Sequence, residues 1–454
     1  MVEEIFNSLM QRIAKEELAD SVSPSQQQLD TLIDCYQRGQ YDHAEELALS
    51  IIQNFPRHQF SWKVLGALYG RKGRKTEELN ANQKAVALAP NDAEAHNNLG
   101  ITFQEMGILE KSEASLRHSL ALKFDSAEAH YNLGVTLKAR NNLEEAETSY
   151  RQAIKLKPNF AKAYNNLGNT LKELGKLEEA KNSYRRAHAL KPDLADALWN
   201  LSGLSNTIEG AGHWIDKCLE TDPTHVQAKL TKAALRYYRG DKTHFDSLMK
   251  TEFKQHPYMR SFSWAFSLPN LPNLYFSRWS FFDAILERSI LSRPFYEFGV
   301  SRGYSFRYFM KFFNRGFGFD TFTGLPEDWD VGSRVEKVGR YSADGKVPDI
   351  DGGEFIVGKF ENTLPNFFSE PRALASIINF DADLYSSTIC ALNYSKEVID
   401  QNTILIFDQF IINENWEQDQ FRALNEFCST NLCTYEVIAI SFFSKQVAVK
   451  LISI

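Results

Sequence analysis

One period constrains this chain more than any other feature: closely similar eight-residue stretches recur 34 residues apart. AEAHNNLG begins at Ala93, AEAHYNLG at Ala127, AKAYNNLG at Ala161 and ADALWNLS at Ala195, and QFSWKVLG from Gln59 and a weaker copy from Ser25 carry the register backwards. In register, Gly39, Gly73, Gly107 and Gly175 mark a turn between two helices, with Asn141 in the same slot, and Pro56, Pro90, Pro158 and Pro192 close their units. A helix pair this short cannot bury its apolar face alone, so neighbours must stack into an all-α superhelix with a concave groove. Gly66, Gly100, Gly134 and Gly168 stand where paired helices must approach closely. The pattern slips after Ala195, and Gly240 with Pro257 marks a last, degenerate copy from about Val226, giving about seven units over 25–259.

These units resemble the tetratricopeptide repeat, a helix–turn–helix module. One column goes beyond packing: Asn98, Asn132, Asn166 and Asn200 recur one residue before the helix-packing leucine. A carboxamide carries both donor and acceptor, the complement of a peptide backbone, and burying it without partners is costly, so the column is expected to face the groove. The AEAHNNLG units are similar to those of the O-linked N-acetylglucosamine transferase solenoid. That resemblance implies an asparagine ladder that holds an extended polypeptide, a peptide or protein partner; a column that merely caps or solvates the groove wall is the other reading. Residues 1–24 read as an amphipathic helix with Ile5, Phe6, Leu9, Ile13 and Leu18 on one face. It caps the array or makes a homodimer contact.

Composition enters mainly by exclusion. A formal charge of −7 gives no reason to expect nucleic acid. The cysteines at 35, 218, 390, 428 and 433 lack paired metal spacing. No run reaches membrane-spanning length and the N-terminus lacks a signal-peptide pattern, so the expectation is a soluble, cytoplasmic protein.

The junction 260–293 is aromatic-rich, broken by Pro269 and Pro272, and reads as a helical, ordered interface. From 294 to 454 the pattern changes to apolar runs separated by helical stretches: one ending at Glu297, then 316–320, 354–358, 375–380 and 403–407, then a closing antiparallel hairpin. That alternation predicts an α/β Rossmann-like domain with a mostly parallel sheet. The first run ends in a glycine turn, FYEFGVSRGYS, with Gly299 and Gly303 ahead of a helix start. Ligands in such sheets bind at the strands' carboxyl ends, and Asp320, Asp381 and Asp408 each stand at such an end.

Five motifs then occur in order: Glu297-Phe298-Gly299 through Gly303, FDTFTGLPEDW from Phe319, KFENTLP from Lys359, FDADLYSST from Phe380 and LIFDQF from Leu405. Together they resemble the macrocin O-methyltransferase family of class I S-adenosylmethionine-dependent methyltransferases. The resemblance implies methyl transfer from S-adenosylmethionine to a hydroxyl-bearing acceptor, assisted by a divalent metal. It implies that Glu297, Gly299, Gly303 and Ser305 surround the methionine portion and that Asp320 holds the ribose. Asp381, Asp408 and Gln409 offer a hard-oxygen site suited to Mg2+, and Asp383 is a further ligand or the base. Two departures stand out. Gln409 replaces an acidic residue, and no histidine follows His256, so the base is Asp383, Glu414, Glu417 or solvent. The insert 330–353 reads as a lid or as an ordinary loop. Three functions follow: an O-methyltransferase whose solenoid recruits a peptide or protein, the same chemistry on a small molecule or sugar with the solenoid used for assembly, or a scaffold whose catalytic domain has weakened.

Overall fold

The helix pairs follow directly from the repeat. In a computed structural model, which describes residues 23–452, helices run Gln26–Gln37, Tyr41–Asn54, Gln59–Arg71, Lys75–Leu88, Ala93–Glu105, Leu109–Leu122, Ala127–Ala139 and Leu143–Leu156. The amphipathic segment 1–24 lies almost wholly outside the described residues. Ser25 opens the first helix with a capping box to Gln28, and Asp92 caps another through Glu94 N and Ala95 N. Gly39, Gly73 and Gly107 turn the chain at φ of +75°, +71° and +75°, where a side chain would be strained.

By internal contacts the chain divides into two units: Met1–Ala139 with Glu145–Pro158, and Arg140–Glu144 with Asn159–Ile454. In the first, Leu32, Ala44, Ile51, Leu65 and Leu68 build the core of the opening repeats. The expected close approaches occur, since a Cβ on Gly100 would meet Leu116 and one on Gly134 would meet the Tyr150 ring.

The second unit continues with helices Ala161–Glu173, Leu177–Leu190, Ala195–Ser202, Ile208–Thr221, Val226–Tyr238, Thr243–Leu248 and Pro257–Ser267. The slip after Ala195 has a physical cause. The helix Ala195–Ser202 stops early, and Phe443 packs against Gly203 and, at 5.0 Å between ring centroids, against Trp199. The boundary drawn at 259/260 falls inside the helix Pro257–Ser267.

The sheet contains β1 (Asn273–Tyr275), β2 (Phe295–Phe298), β3 (Gly316–Asp320), β6 (Gly353–Val357), β7 (Ile377–Phe380), β8 (Ile404–Phe407), β9 (Thr434–Ser441) and β10 (Gln446–Ile452). A separate small hairpin pairs β4 (Trp329–Asp330) with β5 (Val335–Glu336). The order across the large sheet is β1-β9-β10-β8-β7-β2-β3-β6. Strands β6, β3, β2, β7 and β8 are mutually parallel, and β10 runs antiparallel between β8 and β9. The junction is not helical throughout: Asn273–Tyr275 pairs in parallel with β9, which satisfies backbone groups that the two prolines keep from helix.

Strands β2, β7 and β8 are buried on both faces, which is why they read as unbroken apolar runs. Two polar residues interrupt them, Glu297 and Asn379. One apolar cluster joins Leu230, Phe245 and Phe262 of the helices to Phe298, Phe380, Phe407, Trp416 and Phe442 of the sheet domain.

Candidate functional site

Successive parallel strands put their carboxyl ends on one edge. Strands β3 and β6 add on one side of β2 while β7 and β8 add on the other, so the chain changes direction between β2 and β7. A crevice forms at such a reversal because the loops diverge. The loops there are strained. Ser301, Phe322, Asp383 and Ile412 follow β2, β3, β7 and β8 with φ of +48°, +59°, +57° and +76°, and Lys445 in the β9–β10 turn has +63°. Left-handed non-glycine residues cost about 1–3 kcal/mol each and collect where a fold holds functional groups in place.

At the centre lies Glu297, 1% exposed. Its Oε1 accepts from Asn379 Nδ2 at 2.6 Å, a pair formed because the two residues are opposed across β2 and β7. Glu297 Oε2 and Asn379 Oδ1 are buried acceptors without a partner. Leaving a buried acceptor unmade is expensive, so this pair calls for a donor, best a cationic one. Burial pushes the Glu297 carboxyl up to about 8, against the opposing pull of Asn379 and Arg278.

Gly299 and Gly303 frame the next turn at φ of +92° and +74°. What stands against Gly299 is the peptide of Asp381: an added Cβ would overlap its carbonyl oxygen and lie 2.6 Å from its carbon. Gly303 precedes a short helix, Tyr304–Phe309, in which Ser305 is buried. Asp320 receives Ser301 N at 2.7 Å and Phe322 N at 2.6 Å, one on each oxygen, and so ties the glycine loop to the end of β3. Each carboxylate oxygen keeps a second lone pair for a ligand hydroxyl.

Asp381, Asp383 and Asp408 do converge. Burial and then the neighbouring Asp408 carboxylate hold Asp381 well above the usual carboxylate range, against Arg278. Burial, Asp408 and Asp419 push Asp383 up to about 8, against Lys445 and Arg278. Burial lowers Lys445, whose Nζ donates to Asn413 Oδ1 at 2.6 Å. Asp408 is different: Arg278 Nη2 lies 2.8 and 2.9 Å from its two oxygens, and Gln446 Nε2 donates to Oδ1 at 2.6 Å.

That arrangement bears on the expected Mg2+ site. A hard divalent ion needs several free oxygens in near-octahedral array. Here both Asp408 oxygens are engaged by a guanidinium, and Gln409 Oε1 accepts from Asn413 Nδ2 at 3.0 Å. Of the residues offered as ligands, Asp381 and Asp383 remain, and among the described residues no three His, Cys, Asp or Glu side chains gather to hold a metal. The residues present do not fit the ion.

The other proposed bases stand apart from this cluster. Glu417 pairs with Arg260 at 3.1 Å, and the Glu414 side chain packs on Gly332. The insert is pinned: Leu325 N donates to Arg340 O at 2.8 Å, Gly339 N to Leu325 O at 2.9 Å and Ala343 N to Phe322 O at 3.1 Å. Its Tyr341 lies near Asp383, with a hydroxyl pushed up to about 12 chiefly by burial. Arg278, Asn379, Lys445 and Gln446 carry no local sequence signal; pairing across the sheet brings them in.

The asparagine column is half-buried. Asn132 Nδ2 donates to Asn97 Oδ1 at 3.0 Å, and Asn200 Nδ2 to Asn165 Oδ1 at 3.2 Å. These carboxamides therefore link successive repeats and keep their own oxygens as acceptors.

A family model described as TPR repeat matches residues 136–175, and one described as Tetratricopeptide repeat matches residues 161–194. No curated protein matches the chain. Among solved structures, MamA is 25% identical, with 36% of this chain and 97% of that chain covered and a TM-score of 0.33. YrrB, described as a TPR protein with an unusual peptide-binding site, is 21% identical over 41% of this chain and 97% of its own, with a TM-score of 0.35. PilF of Pseudomonas aeruginosa is 19% identical over 45% and 96%, with a TM-score of 0.40. Residues 136–194 are tetratricopeptide repeats.

Proposed function

We propose that the sheet domain binds S-adenosylmethionine at the carboxyl ends of β2, β3 and β7 and transfers its methyl group to a hydroxyl. The observation that carries this reading is the orphaned acceptor pair, Glu297 Oε2 and Asn379 Oδ1, buried in strands that are otherwise apolar. A ligand ammonium supplies the donors that pair lacks. The cofactor supplies an electrophilic methyl on a sulfonium, a cation that would favour the ionised forms of Glu297, Asp381 and Asp383, whose carboxyls burial otherwise raises. Asp320 accepts from ribose hydroxyls with its spare lone pairs, and Gly299, Gly303 and Ser305 border the methionine portion. Asp383 takes the acceptor's hydroxyl proton as the oxygen attacks the methyl.

Calorimetry tests this directly. S-adenosylmethionine binds the full chain, and Glu297→Gln weakens binding by about tenfold or more, the scale of one charge-assisted hydrogen bond. No heat of binding at millimolar cofactor removes the reading.

The repeats support protein or peptide binding, and we infer that the asparagine column grips an extended backbone. Selection from a random peptide library yields binders of the wild-type chain. A single Asn→Ala change weakens them about two- to tenfold, one net hydrogen bond each. Changing Asn98, Asn132, Asn166 and Asn200 together removes most binding. Selected peptides that bind the fourfold variant as well as wild type would reduce the column to a solvated wall.

A further inference from the structure

We propose that Arg278 is a built-in cation: its guanidinium occupies, on Asp408, the position that a divalent metal would take, and the site works with the arginine instead. Asp408 is almost fully buried, with a side chain 3% exposed, and both its oxygens are met by one guanidinium nitrogen, with Gln446 completing the contact. Arg278 itself is 32% exposed in its side chain. Beyond Asp408, the carboxyl groups of Asp381, Glu173 and Glu297 interact with it electrostatically. A guanidinium cannot lose its proton in a protein and presents five donors, so it keeps one positive charge beside Asp408 at every accessible pH.

Two features of the chain fit together under this assignment. Gln409 stands one residue after Asp408, where an acidic side chain would raise the demand for positive charge, and its carboxamide oxygen is turned to Asn413. With Arg278 present the extra carboxylate has nothing to bind. The helix that carries Arg278, Arg278–Leu286, is fixed at its start by a capping box between Ser277 and Ser280. The guanidinium is therefore held in place by the fold and not by a mobile loop.

This inference rests on the methyl-transfer reading only for its catalytic meaning, in which the positive charge of Arg278 favours the deprotonated form of the acceptor hydroxyl as Asp383 takes its proton. Its test does not need activity. Mn2+ is titrated into the full-length chain and free ion is followed by electron paramagnetic resonance. Wild type leaves the ion free up to about millimolar, beyond the range of functional oxygen sites. Arg278→Gln gains one site, and adding Asp408→Asn removes it again. Stoichiometric Mn2+ binding by wild type that Asp408→Asn abolishes overturns the proposal, as does a folded Arg278→Gln that takes up no ion. If Arg278→Gln fails to fold, the comparison of wild type with Asp408→Asn decides. Calorimetry with S-adenosylmethionine fails or succeeds separately, so the two ideas cannot be confused.

Discussion

Gly299→Ala should destabilise the chain more than any other single methyl group added at the site. The new Cβ would overlap the Asp381 carbonyl oxygen and lie 2.6 Å from its carbon and 3.0 Å from Ala382 N, all of them backbone atoms that no rotamer change can move. The φ of +92° adds strain of its own. Together these should cost about 3 kcal/mol or more. The melting temperature should fall by roughly 5–10 °C in a domain of this size. Gly303→Ala is the control. Its Cβ would meet only the side chains of Ile350 and Pro348, at 3.0 Å or more, so the loss should be about 1 kcal/mol. Cofactor affinity should follow the same order, because the displaced Asp381 peptide forms the crevice wall. Equal melting temperatures for the two variants would show that β2 and β7 separate freely.

Asp383→Asn should lower methyl transfer by about 10²- to 10⁴-fold, the usual contribution of a positioned base. The amide keeps the shape and cannot take a proton, so calorimetric affinity for S-adenosylmethionine should be nearly unchanged. The pH profile carries a second signature. Asp383 must be ionised to act, and its environment holds it near 8. Wild-type kcat/KM should therefore fall about tenfold for each pH unit below that value and level off above it. The groups that set this midpoint are Asp408 and Asp419, which raise it, and Lys445 and Arg278, which lower it. Lys445→Met should move the midpoint upward. A flat profile between pH 6 and 9, or an Asp383→Asn variant of normal rate, would assign proton removal elsewhere.

The sequence was most informative where one chemical requirement repeats. The helical array was legible because burial and close approach recur every 34 residues, and the central strands because burial on both faces leaves a run of apolar side chains. Asp320, Asp381 and Asp408 could be placed at strand ends for the same reason. What surrounds them could not. Arg278 reaches Asp408 across 130 residues of sequence, and Asn379 reaches Glu297 across 82. No local pattern marks either partner, since the pairing depends on which strands lie side by side. The expected metal site shows the same limit: three oxygen-bearing residues were visible, and the arginine that engages one of them was not. Nor does the sequence show that the Asp381 peptide, just past the neighbouring strand, lies against Gly299. Strand β1 escaped because three residues, held by backbone pairing to β9, carry too little pattern of their own.

The apolar cluster that unites Leu230, Phe245 and Phe262 with Phe298, Phe380 and Phe407 bears on how such a chain can change over generations. Tandem repeats lengthen and shorten by recombination, because each whole unit offers its neighbours the same two faces. The helices from Val226 onward have lost that interchangeability. One side of them has become wall for the sheet, and duplicating or deleting them would open its interior to water. Drift in repeat number is therefore disfavoured in these helices, and they should be inherited with the sheet domain as a single block.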